Sequence, residues 1–329
     1  MSVGDSGRVA PGVLVSCDWL AANLDTPGLV IVEVDEQPLL YRLGHIPGAH
    51  GIDWRADLQH PLVRDIPDED AVARLWRRLG IDRDSTVVLY GDKNNWYACF
   101  GYWLFWLYGL RNLHILDGGR PLWLNQNLPI TRDEPFAVPG QTPRPRLDGA
   151  TRAGFWHVLA TRGAGAQLID VRSPEEYRGE LLTEPGYPEE AAQRPGHIPG
   201  AVNVPWARAT QLDGRFKPAH ELLALYGALG RADRTTITYC RIGERSAHTW
   251  FVLHALLGFS DVRNYDGSWT EWGSIMGMPI ELGEQVGELS VPWPVPVGLD
   301  PPPGLFQPLA AEGVIVDGSL SADRRVSAR

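Results

Sequence analysis

Thr86 to Trp123, TVVLYGDKNNWYACFGYWLFWLYGLRNLHILDGGRPLW, aligns without a gap onto Thr235 to Trp272, TTITYCRIGERSAHTWFVLHALLGFSDVRNYDGSWTEW, at a constant offset of 149 residues. Tyr90 falls on Tyr239, Leu104 on Leu253, Gly109 on Gly258, Asp117-Gly118 on Asp266-Gly267 and Trp123 on Trp272. A second shared block lies upstream: His45-Ile46-Pro47-Gly48-Ala49 is answered by His197-Ile198-Pro199-Gly200-Ala201. Further upstream again, IVEVDEQPLLYR, ending at Arg42, resembles LIDVRSPEEYR, ending at Arg178. A period this long is no solenoid; it is a tandem duplication of one domain.

Each copy alternates short apolar strands with helical patterns. In the second copy, 167–171, 201–204, 235–239 and 261–265 read as strands, and 220–229 and 246–257 as helices. That alternation predicts an α/β fold, each domain a mostly parallel sheet flanked by helices. The expected division is an N-terminal domain over 10–136, a proline-containing linker over 137–149, a C-terminal domain over 150–283 and a proline-rich tail over 284–329.

With 44% hydrophobic residues among 329, the chain can fill a core, and its formal charge of −10 argues against broad binding to nucleic acid or anionic membranes. The apolar stretch Trp96 to Leu110 is too short to span a bilayer and reads as a buried helix. The N-terminus lacks a basic start leading into a long apolar run, so a cytoplasmic location is expected. Three scattered cysteines, Cys17, Cys99 and Cys240, make neither a disulfide framework nor a zinc cluster. No metal-ligand spacing or nucleotide loop appears, and no cofactor is expected.

The copies differ where chemistry would lie. In the second, the strand ending at Tyr239 runs into Cys240-Arg241-Ile242-Gly243-Glu244-Arg245-Ser246 and then a helix; in the first, Gly91 stands where Cys240 does. A loop between strand and helix presents unpaired N–H groups and the positive helix end to an anion. With Arg241 and Arg245 alongside, this context predicts a Cys240 thiol depressed below its ordinary value. Cysteine phosphatases place an arginine six positions after the cysteine, where this chain has Ser246. Arg245 closes a loop one residue shorter, a better fit to a single sulfur than to a phosphate.

These features together resemble the rhodanese family, in particular tandem-domain thiosulfate sulfurtransferases. The residues that carry the resemblance are the two HIPGA blocks, the loop Cys240 to Arg245, the Gly267-Ser268-Trp269-Thr270-Glu271-Trp272 stretch, and the duplication with one cysteine-bearing copy. The resemblance implies a non-catalytic N-terminal domain and a catalytic C-terminal one. Cys240 would take the sulfane sulfur of thiosulfate as a persulfide, release sulfite, and pass the sulfur to a thiophilic acceptor such as cyanide or a thiol. The alternatives are a 3-mercaptopyruvate sulfurtransferase, for which the resemblance implies an uncharged loop, and a persulfide carrier with slow turnover. Either way the partners are a small anionic sulfur donor and its acceptor, with no nucleic acid or membrane.

The loop from Arg241 to Ser246 is the expected substrate cradle. The resemblance implies that Asp170 braces that loop, although a strand-end cap fits it equally, and that Arg178 binds substrate. Trp96 either faces the cleft or packs an interface. His45 and His197, repeated in both copies, are expected to be structural. The insertion from Gly179 to Arg194 reads either as a lid at the cleft edge or as a solvated loop.

Overall fold

The computed structural model describes residues 12–137, 140–163, 165–187, 191–229 and 234–284; the proline-rich tail, apart from Glu284, lies outside the described residues. The first sheet comprises β1 (Leu14–Val15), β2 (Leu29–Glu33), β3 (Ala49–Gly51), β4 (Thr86–Tyr90) and β5 (Leu113–Leu116), in the order β1-β5-β4-β2-β3. The second comprises β6 (Arg152–Ala153), β7 (Gln167–Asp170), β8 (Val202–Asn203), β9 (Thr236–Tyr239) and β10 (Val262–Tyr265), in the order β6-β10-β9-β7-β8. All of these pairings are parallel, and the second order is the first repeated strand for strand. The central strands β4, TVVLY, and β9, TITY, are buried almost throughout, as sheets covered on both faces require.

The HIPGA blocks are matching struts. His45 stacks on Tyr41 and His197 on Tyr177, at ring separations of 3.9 and 3.6 Å, and each Nδ1 faces the carbonyl of the tyrosine it stacks on. Each also bridges to a distant strand-like segment, His45 to Thr131 and His197 to Glu281. The histidines are therefore structural in both copies.

The helix that follows the central strand differs in length and in starting point. In the first copy it is Trp96–Leu107, buried along its length except for Trp106. In the second it is Glu244–Phe251, beginning two residues earlier than the pattern from Ser246 predicts. Gly243, at φ +100°, makes the cap that permits the earlier start, and a Cβ there would lie 2.6 Å from the Asp266 Cα. These two helices pack together across the duplication, with Tyr102 and Trp106 of one against Trp250, Phe251 and His254. One apolar cluster thus runs through both copies. Because the helices that pack are the ones that leave the two strand ends, the two corresponding loops are drawn to a common seam. No helix among the described residues is long and apolar enough to cross a membrane.

Candidate active site

Cys240 follows β9 at the carboxyl end of the central strand and is fully buried. Its backbone is gripped by the next turn: the Ser268 hydroxyl accepts from the Cys240 N–H at 3.1 Å, and the N–H groups of Trp269 and Thr270 donate to the carbonyls of Cys240 and Arg241. Ser268 makes this turn at φ +52°, which accounts for the Gly-Ser-Trp stretch as a clamp on the loop. From the other copy, Arg64 donates to the carbonyls of Ile242 and Asp266 at 2.8 and 3.0 Å. The loop is thereby held from both domains.

The sulfur lies in a cradle built by the loop itself. The Gly243 N–H donates to Cys240 Sγ at 3.1 Å, and the Ser246 hydroxyl lies 3.6 Å from it. Glu244 Oε2 is also 3.6 Å away, within reach of the thiol proton. The other Glu244 oxygen accepts from Arg241 at 2.8 Å, so the acid in the loop is paired with the neighbouring arginine. Arg245 forks onto the buried Glu176 at 2.7 and 2.9 Å and reaches Glu184 at 3.2 Å. Burial opposes the charge on Glu176, yet Arg245 and Arg172 outweigh it and hold this carboxyl down at about 2.

These pairings correct the electrostatic expectation. Burial, reinforced by the Glu244 charge, pushes the Cys240 thiol up, against the opposing pull of Arg245 and Ser246. The sequence displays two cations beside the cysteine; the fold neutralises both with Glu244, Glu176 and Glu184, and removes water from the sulfur. The net effect of these surroundings favours the protonated thiol, the reverse of the depression that the sequence led us to expect.

The remaining expected residues are dispersed. Asp170 is buried at the end of β7 and forks onto Arg172, which also donates to the Gly196 carbonyl; neither Asp170 carboxylate oxygen has a described hydrogen bond to the loop. Arg178, partly exposed, pairs with Glu180 at 2.8 Å and lies 3.7 Å from Glu175 and from Glu284. Trp96 is buried at the seam, 5.8 Å from the Arg245 guanidinium and 5.3 Å from the Trp206 ring. The insertion is no mere solvated loop at its Glu184–Tyr187 end. Tyr187 lies 4.4 Å from the Arg241 guanidinium, accepts from Lys93 Nζ at 3.0 Å and donates to Glu36. Glu176 and Arg64 are the contacts that the sequence did not single out; Ser268 lay in the quoted Gly267-to-Trp272 stretch, and Glu184 and Tyr187 in the insertion read as a lid or a solvated loop, without a role for any one of them.

In the first copy no thiol can occupy the matching position. A Cβ on Gly91 would meet the Val34 carbonyl oxygen at 2.1 Å, and the Asn95 side chain fills the loop by accepting from the Gly91 N–H at 3.0 Å. Among the described residues, no three His, Cys, Asp or Glu side chains gather as a metal-ligand set.

Comparison with known proteins sets this site in context. A family profile described as a rhodanese-like domain matches residues 16–126 and again 157–275. The Thermus thermophilus protein named sulfur carrier protein TtuD is 50% identical over 284 residues, covering 85% of this chain and all of its own. SseA of Mycobacterium tuberculosis, provisionally named a thiosulfate sulfurtransferase, is 52% identical over 287 residues, covering 87% of this chain and 96% of its own. Among solved structures, SseA from Escherichia coli, described among 3-mercaptopyruvate sulfotransferases, superposes with a TM-score of 0.68 at 28% identity, covering 79% of this chain and 99% of that one.

Proposed function

The chain belongs to the rhodanese family, and we propose that it is a sulfurtransferase in which Cys240 carries the transferred sulfur, with thiosulfate as donor. The observation that carries this reading is the cradle: Cys240 Sγ receives the Gly243 N–H at 3.1 Å at the head of a buried helix, in the copy that has a thiol at this strand end. An N–H aimed at sulfur from a helix start stabilises negative charge there in both the thiolate and the persulfide.

The reaction divides into two displacements. The Cys240 thiol loses its proton and its sulfur attacks the outer sulfur of thiosulfate. A new S–S bond forms while the donor's own S–S bond breaks, and that electron pair leaves with sulfite, which takes up the released proton as hydrogen sulfite. A thiophilic acceptor, cyanide or a thiolate, then attacks the outer sulfur of the Cys240 persulfide, and the thiolate is restored. No cofactor beyond the bound sulfur is required.

Thiosulfate is favoured as donor by the names of the mycobacterial relatives. The test is thiocyanate production from thiosulfate and cyanide, expected in the wild type and abolished in Cys240→Ser. A kcat/KM more than tenfold higher for 3-mercaptopyruvate would reverse the donor assignment. A second reading, a sulfur carrier that hands its persulfide to a partner with slow turnover, is favoured by the complete burial of Cys240 and by the carrier name of the Thermus relative. Stoichiometric persulfide on Cys240 without sustained thiocyanate production would select it.

A further inference from the structure

Both arginines of the loop are met by the ends of one tight turn. Glu184-Pro185-Gly186-Tyr187 has proline at its second position and glycine at its third with φ +101°, and the Tyr187 N–H returns to the Glu184 carbonyl at 3.3 Å. That sequence and bond describe a type II turn, in which proline presets one dihedral and only glycine readily takes the other. The turn presents Glu184 to Arg245 at 3.2 Å and the Tyr187 ring to Arg241 at 4.4 Å. Its tyrosine end is fastened to the first copy through Lys93 and Glu36.

The two carboxylates on Arg245 are not equivalent. Glu176 is wholly buried and forked on two nitrogens, a fixed partner. Glu184 makes one longer contact to a guanidinium that is 1% exposed, while its own side chain is 42% exposed and reaches solvent. Arg245 is therefore shared between a permanent counterion and a removable one.

We propose that Glu184 is a donor-selectivity residue: its carboxylate occupies the face of Arg245 that the anionic head of the sulfur donor takes, and the donor binds by displacing it. This rests on the reading of Cys240 as the sulfur-accepting thiol and adds the group against which the donor competes. A carboxylate held by one 3.2 Å contact sets a threshold, so an anionic donor displaces Glu184 and a neutral sulfur compound gains nothing from the exchange.

The test has a binding arm that needs no turnover. Thiosulfate is titrated calorimetrically into full-length Cys240→Ser and into the same protein carrying Glu184→Gln, with sulfate as the control anion. Loss of the competing carboxylate is expected to tighten thiosulfate binding by roughly three- to tenfold, the range for removing a partly exposed ion pair and a like charge beside the ligand. In the cysteine-bearing protein, Glu184→Gln is expected to lower KM for thiosulfate by the same factor with kcat within twofold, a split that loss of a merely structural contact does not produce. Unchanged or weakened binding, or no thiosulfate binding to either variant, overturns the proposal. Tighter binding with no thiocyanate from the Cys240 enzyme would instead keep the gate and refute the turnover reading.

Discussion

Replacing Glu244 by glutamine should lower the Cys240 thiol, and the structure sets the scale. The carboxylate oxygen lies 3.6 Å from Sγ. A unit charge at that range with an effective dielectric of about 20 interacts by roughly 5 kcal/mol, an upper bound on what its removal returns to the thiolate. Arg241, 2.8 Å from the other Glu244 oxygen, cancels part of that field. The expected net effect is a fall, smaller than the bare charge alone would give. The sign is fixed, since a negative neighbour disfavours the thiolate and its removal favours it. The assay is the ultraviolet absorbance of the thiolate as a function of pH, which requires no reagent to enter the closed site. Burial raises Cys17 to about 11 and pushes Cys99 higher still, so neither contributes in the neutral range. A midpoint in Glu244→Gln that is unchanged or higher than in the wild type would refute the electrostatic account of this loop.

Other outcomes follow from the same contacts. Arg64→Ala removes the brace from the first copy to the Ile242 and Asp266 carbonyls, and thiocyanate production is expected to fall about tenfold or more with little change in melting temperature; a wild-type rate would show that the loop holds its shape alone. Glu176→Gln leaves the Arg245 charge without its buried counterion and should cost on the order of 3 kcal/mol in a denaturant titration. Because the folded Glu176 carboxyl is depressed from 4.5 to about 2, its contribution is full above about pH 5 and is lost as pH falls from there toward 2, so the wild type and the glutamine variant should converge in stability on acidification. Gly91→Cys should not create a second sulfur site but should lower the melting temperature, since its Cβ collides with the Val34 carbonyl; labelling of the new cysteine by a sulfur donor would contradict this.

The architecture was legible because the chain states it twice. The offset between Tyr90 and Tyr239 places two strands at equivalent points, and the parallel order repeats in the folded domains. Gly91 against Cys240 was legible for the same reason. The electrostatics were not, because a sequence displays charges without their partners. Glu176 is 69 residues and Glu184 61 residues from Arg245, and Arg64 is 178 residues from Ile242. Only the fold brings these groups together, and they turn an apparent cluster of cations into a compensated network. Glu244 was visible in the loop, but whether it faced Arg241 or solvent depended on where the helix began, two residues earlier than the apolar pattern indicates. The local pairing of Arg178 with Glu175, Glu180 and Glu284 was likewise not to be read from its place beside Tyr177.

The complete burial of Cys240 bears on how readily its sulfur is oxidised. Thiols and persulfides are consumed in air by stepwise oxidation, whose later stages are irreversible, and susceptibility follows exposure and thiolate character. The Cys240 sulfur is fully buried and its surroundings disfavour the thiolate, so slow oxidation of the resting thiol by peroxide is the expected consequence. If Cys240 carries sulfur as proposed, the same enclosure makes the rate of the first encounter with a donor the quantity to measure beside the oxidation rate.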